Sequence, residues 1–146
     1  MARVLAIDYG RKKVGLAVTD PYQIIANGMG TVPAHTILKY LKKYISEEEI
    51  ETIVVGHPKQ MNNTDSESMV YIKPFMEKLK VLFPEMNIEM MDERFTSKIA
   101  FQTMIDGGLK KKARRNKELV DSISATIILQ SWLEKKKHEE FNSIIK

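Results

Sequence analysis

Four consecutive apolar residues, Val4-Leu5-Ala6-Ile7, run straight into Asp8 near the start of the chain. Successive side chains on a strand point to opposite faces, so a strand of this composition has to be covered on both sides. That requirement selects a layered α/β architecture over a one-sided sheet. Two further acids interrupt apolar runs in the same way: Glu93 in Met90-Met91-Asp92-Glu93-Arg94, and Asp121 in Leu119-Val120-Asp121-Ser122-Ile123. An ionised carboxylate withdrawn from water is costly unless a cation accompanies it. No single lysine or arginine is evident as a partner for all three. A divalent metal would satisfy them together, and hard oxygen ligands of this kind suit magnesium or manganese.

The pattern along the chain supplies the rest of the scaffold. Arg3 to Asp8 and Val14 to Thr19 read as strands joined by a glycine-containing connection of hairpin length. Asp20-Pro21 marks a turn, and Ile24 to Val32 reads as a third, irregular strand broken by Gly28 and Gly30. From Ile37 the period changes: Ile37, Leu38, Leu41, Tyr44 and Ile45 share one helical face. Thr52 to Val55 is a short β-branched strand. Met69, Ile72, Met76, Leu79 and Phe83 recur at helical spacing, with Pro74 inside that pattern expected to kink the helix or delay its start. Asn87 to Met91 forms a fifth strand that delivers Asp92 and Glu93 at its carboxyl end. Thr96 or Ser97 caps a helix ending at Asp106-Gly107-Gly108, and Asn116 to Lys137 makes a long final helix. On that helix Asp121 shares a row with Ala125, Ile128 and Trp132. The stretch from His138 to Lys146 is weakly patterned and reads as a flexible tail.

The order β-β-β-α-β-α-β-α-α implies an α/β fold: a five-stranded mixed sheet with an antiparallel N-terminal hairpin, parallel strands added through crossovers, and flanking helices. At 146 residues and 43% apolar content, the chain is expected to form one domain over residues 1–146. Ligands of open sheets gather at the carboxyl ends of parallel strands. Asp8 and Glu93 both fall there, and Asp121 near a helix start can complete the cluster.

Cysteine is absent, which excludes a disulfide framework and any thiolate zinc site. The segment from Met1 to Thr19 carries charges and an early aspartate, unlike a signal peptide or membrane anchor, so the expected location is cytoplasmic with no membrane partner. The net charge of +4 is uneven. Lys110, Lys111, Lys112, Arg114, Arg115 and Lys117 contribute six positive charges without an intervening acid, leaving −2 for the remainder once these six are taken from the +4 total. Such a block neutralises phosphates and makes nucleic-acid binding salt-dependent. A solvated loop is the plain alternative.

Four blocks taken together resemble the YqgF family. They are Ala6-Ile7-Asp8-Tyr9-Gly10 through Asp20, Ile53-Val54-Val55-Gly56-His57-Pro58, Asp92-Glu93-Arg94-Phe95-Thr96-Ser97, and the helix from Val120 to Gln130. That family is described as pre-16S rRNA nucleases, earlier as Holliday junction resolvases, with an RNase H-like fold. The resemblance implies that Asp8, Glu93 and Asp121 match the acidic catalytic positions; on the hypothesis of two-metal hydrolysis they hold two Mg2+ or Mn2+ ions, with Asp8 bridging and the others supporting one side each. It selects Glu93 over its neighbour Asp92, which points to the opposite face. His57 departs from the leucine common at that position; a proton-shuttling or phosphate-grasping role is conceivable for it.

Beside that set, Arg11, Lys12 and Lys13 flank Asp8 and can steer a substrate backbone, and Arg94 can bind phosphate bidentately. A solvated hairpin tip and a local ion pair are the competing readings. The expected function is metal-dependent hydrolysis of phosphodiester bonds in structured nucleic acid. Precursor ribosomal RNA, in association with a ribosomal particle, is the preferred partner and branched DNA the alternative, with the protein a monomer or homodimer. Two other classes stand against it. A non-catalytic nucleic-acid-binding module would use the basic block alone, and an actin-like ATPase would need a second lobe that this length does not supply.

Overall fold

The computed structural model describes residues 2–57, 69–92 and 117–145. β1 (Arg3–Tyr9), β2 (Lys13–Thr19), β3 (Ala26–Pro33), β4 (Ile50–His57) and β5 (Asn87–Asp92) form one sheet in the order β3-β2-β1-β4-β5. β1 pairs antiparallel with β2 and parallel with β4, β4 pairs parallel with β5, and β2 pairs antiparallel with β3. β1 is therefore the middle strand, as its apolar run requires.

Alternation along the strands divides the core into two layers. Leu5, Ile7, Val14, Leu16, Ile53 and Val55 pack against α1 (Ile37–Glu47) and α2 (Met69–Leu82). Val4, Ala6, Ala17, Val54 and Met91 pack against α3 (Lys117–Ile145). The α1 stripe is as expected: Ile37 and Leu41 are buried, and Leu38, Tyr44 and Ile45 pack at its margins. Pro74 sits within α2. Its missing N–H leaves the Val70 carbonyl without its helical partner, and Val70 is 72% exposed, so water can serve that carbonyl.

Several boundaries differ from expectation, and β4 runs from Ile50 to His57 rather than from Thr52 to Val55. β3 begins at Ala26 rather than Ile24, because the Asp20 carboxylate captures the preceding amides. Its Oδ1 accepts from the N–H groups of Ile24 and Ile25, both at 2.8 Å, and its Oδ2 from that of Tyr22 at 3.0 Å. Ile24 and Ile25 are thereby held in the turn, exposed, instead of extending the strand. The segment from His138, expected to be a flexible tail, is helical to Ile145. The helix expected between Thr96 and Asp106 and the basic block from Lys110 to Arg115 lie outside the described residues.

The amide of Ile25, then those of Ile24 and Tyr22, hold the Asp20 carboxyl below its ordinary value of 3.8. A carboxylate with a depressed folded-state pKa contributes stability above its unfolded pKa and loses it as pH falls through the folded one. Asp20→Asn is expected to lower the thermal midpoint at neutral pH, with the difference from wild type closing as pH falls below 3.8. Thermal melts across that range check this, and a difference that persists in acid contradicts it.

Candidate active site at the carboxyl ends of the parallel strands

Asp8 is the penultimate residue of β1, on the same face as Val4 and Ala6 and therefore toward α3. The next residue, Tyr9, turns to the opposite face and stacks on Phe75 with ring centroids 4.2 Å apart. Asp8 pairs across β2 with Gly15. On its other side Ile7 pairs with Val55, so Gly56 follows level with Asp8 on β4. Paired residues share a face, and glycine has no side chain to place there. Asp8 thus stands between two positions with no side chain, the arrangement expected where a ligand must come close to a strand.

The direction of α3 brings its beginning to the same end of the sheet. Trp132 Nε1 donates to Glu89 Oε1 at 3.5 Å, and Lys136 Nζ lies 3.8 Å from Glu51 Oε1, so this part of the helix covers the starting ends of β4 and β5. Counting back from Trp132 to Asp121 at the helical rise spans about 17 Å. From Glu89, which Trp132 touches, to Asp92 the strand spans only about 10 Å, so α3 is long enough for its beginning to reach the strand carboxyl ends. Asp121 lies one helical turn before Ala125, whose row packs on the sheet.

Small residues allow the close approach. Ala6 and Ala17 are cross-strand partners, and they and Ala125 are fully buried together in the layer beneath α3. His57 and Asp92 end β4 and β5 in register with each other. Glu93 directly follows Asp92 in sequence and lies outside the described residues, as do Arg94, Lys110, Lys111, Lys112, Arg114 and Arg115. Lys117 opens α3. Among the described residues no three histidine, cysteine, aspartate or glutamate side chains form a metal-sized group. Of the expected trio, Asp8 is described in full and Asp121 in its backbone. A hard divalent cation fits the chemistry at Asp8, an oxygen donor at a strand end with glycine on either side.

Arg11 and Lys12 are exposed at the hairpin tip, and Lys13 opens β2. Arg11 is not merely solvated: its guanidinium lies over the Tyr71 ring, 5.5 Å from the centroid. Gly15 and Gly56 were present in the sequence blocks, but their significance depends on strand register, which the sequence alone does not display. Their one visible signal is glycine inside an otherwise apolar strand.

A family model described as RuvX, Holliday junction resolvase, matches residues 2–135. The chain belongs to the RuvX family. Relatives in this family include a protein of Phocaeicola vulgatus, named "Putative pre-16S rRNA nuclease", 60% identical over 138 residues that make up 94% of this chain and 99% of the relative. A protein of the same name from Flavobacterium johnsoniae is 53% identical over 137 residues, 94% of this chain and 99% of its own length. Among solved structures, Thermus thermophilus RuvC in complex with a Holliday junction substrate matches with a TM-score of 0.55 and 17% identity, covering 94% of this chain and 97% of that one. At that identity the likeness concerns the fold, and the fold is RNase H-like, as the resemblance implied. The matches to RuvX and its relatives bear out the family read from the four sequence blocks.

The layer of small residues under α3 can be tested directly. Ala125→Leu should force the helix from the sheet and cost about 1–3 kcal/mol of stability. Urea denaturation measures it, and an unchanged midpoint would show that the approach is not tight.

Proposed function

We propose that this RuvX-family chain is a nuclease that hydrolyses phosphodiester bonds of structured RNA, with precursor 16S rRNA as its substrate. The observation that carries the reading is Asp8, set between Gly15 and Gly56 at the strand ends to which α3 brings its first turns. Relatives over 50% identical along nearly their whole length bear the name of such a nuclease. On this reading Asp8, Glu93 and Asp121 would hold magnesium or manganese ions.

When bound, divalent ions at such carboxylates lower the pKa of an attacking water and neutralise the phosphoryl oxygens. The protein's own part is placement. Asp8, at the strand end between the two glycines, would hold a cation that meets the scissile phosphate, with Glu93 and Asp121 adding negative charge to hold it. Water adds to phosphorus, the bond to the 3′ oxygen breaks, and that oxygen leaves with a proton, giving a 5′ phosphate. The basic residues from Lys110 to Lys117, with Arg94 and the hairpin tip, neutralise the surrounding backbone.

Branched DNA is the second reading, favoured by the description of the matching family as Holliday junction resolvases. A junction enzyme of this kind would act as a dimer making paired cuts. Cytoplasmic location accords with either; among the described residues no helix is long and apolar enough to cross a membrane.

Asp8→Asn is expected to reduce cleavage of precursor 16S rRNA by about 100-fold or more, the equivalent of losing a few kcal/mol of transition-state stabilisation. Incubating wild type and variant with precursor rRNA and with four-way junctions, in magnesium, manganese or chelator, checks the reaction and ranks the substrates. Cleavage that survives in the variant or in chelator contradicts the proposed chemistry.

A further inference from the structure

On the face of the sheet opposite Asp8 lies a cleft of about 330 Å³, of which the hydrolytic reading uses only the hairpin tip. One wall is α2, where Tyr71, Pro74 and Lys78 recur at helical spacing; the others are the hairpin tip with Arg11 and the turn before α1 with His35. Among the described residues, none that lines it is acidic. The Tyr9–Phe75 stack forms its base, and Tyr71 remains 37% exposed with Arg11 above its ring. Pro74 and Lys78 are exposed beside it.

This composition is specific in what it can receive. An accessible aromatic ring and a proline offer flat apolar surface, while Arg11 and Lys78 offer cationic heads at the rim. A guanidinium above a tyrosine ring can meet a phosphate with its edge while the ring stays available to a planar group. A folded duplex keeps its bases stacked inside and cannot use such a platform; an unpaired nucleotide can. The strand connectivity also ties the cleft to the proposed reaction, because Tyr9 in its base is the residue after Asp8. A single strand passing around the hairpin tip therefore runs from one face to the other.

We infer that the Arg11–Tyr71–Lys78 cleft binds an unpaired nucleotide flanking the bond that is cut, stacking its base on Tyr71 and pairing its phosphate with Arg11 and Lys78. This rests on the nuclease reading for its purpose, but not for its test. The shared chemistry is a single-stranded nucleotide, and RNA and DNA are its two sources.

The experiment is fluorescence anisotropy of the full-length protein with short labelled single-stranded RNA, single-stranded DNA and duplex RNA, in chelator so that no cleavage occurs. Tyr71→Ala is expected to weaken single-strand binding about tenfold or more, with Tyr71→Phe restoring it and duplex binding little changed. A larger loss for RNA than for DNA supports a ribonucleotide; equal losses support recognition through the base. Arg11→Gln and Lys78→Gln, both at exposed positions, should each weaken single-strand binding and shallow its logarithmic salt dependence by about 0.7. Circular dichroism establishes that each variant is folded.

Unchanged single-strand binding by folded Tyr71→Ala overturns the assignment, as does an equal loss for duplex RNA or an absence of single-strand binding by the wild type. If Tyr71→Ala fails to fold, unchanged binding and salt dependence in Arg11→Gln and Lys78→Gln overturn it instead. The two readings fail separately: loss of cleavage in Asp8→Asn with intact binding in Tyr71→Ala leaves the nuclease standing and removes the cleft from it.

Discussion

The fold depends on how closely α3 can lie on the sheet. Ala6, Ala17 and Ala125 meet in a fully buried layer, and none carries more than a methyl group, so helix and strand backbones approach without displacing larger side chains. Farther along, Ile128, Leu129, Trp132 and Leu133 are buried in the same layer. The beginning of α3 is consequently held at the carboxyl ends of the strands, where Asp8 stands between two glycines.

That placement separates two tasks. The α3 face carries Asp8 at its strand end, the position that the proposed chemistry uses. The opposite face carries aromatic and basic groups against α1 and α2, a composition suited to holding nucleic acid without reacting with it. The hairpin between β1 and β2 joins them, since Asp8 and Tyr9 are adjacent in sequence and turned to opposite faces.

Much of this was legible before coordinates. Val4 to Ile7 announced a doubly covered strand, and β1 duly lies in the middle of the sheet. The spacing of Ile37, Leu41 and their neighbours marked α1. What escaped was whatever depends on partners distant in sequence. Ile24 and Ile25 look like strand residues until the Asp20 carboxylate is seen to take their amides. Phe141, Ile144 and Ile145 stand at helical spacing, but after the polar His138 to Glu140 that run is too short for pattern alone to mark the helix as continuing. Gly15 and Gly56 acquire meaning only when register sets them on either side of Asp8, and Tyr71 only when the hairpin brings Arg11 above it.

The most direct test of the account is whether the paired approach of β1 and α3 makes a cation site. Mn2+ binding to the full-length protein, followed by electron paramagnetic resonance without substrate, reads this independently of turnover. The account predicts saturable binding in the wild type that is strongly weakened by Asp8→Asn and by Asp121→Asn, each verified as folded. Wild-type affinity in folded Asp121→Asn would contradict it, because α3 would then be bringing nothing to the site.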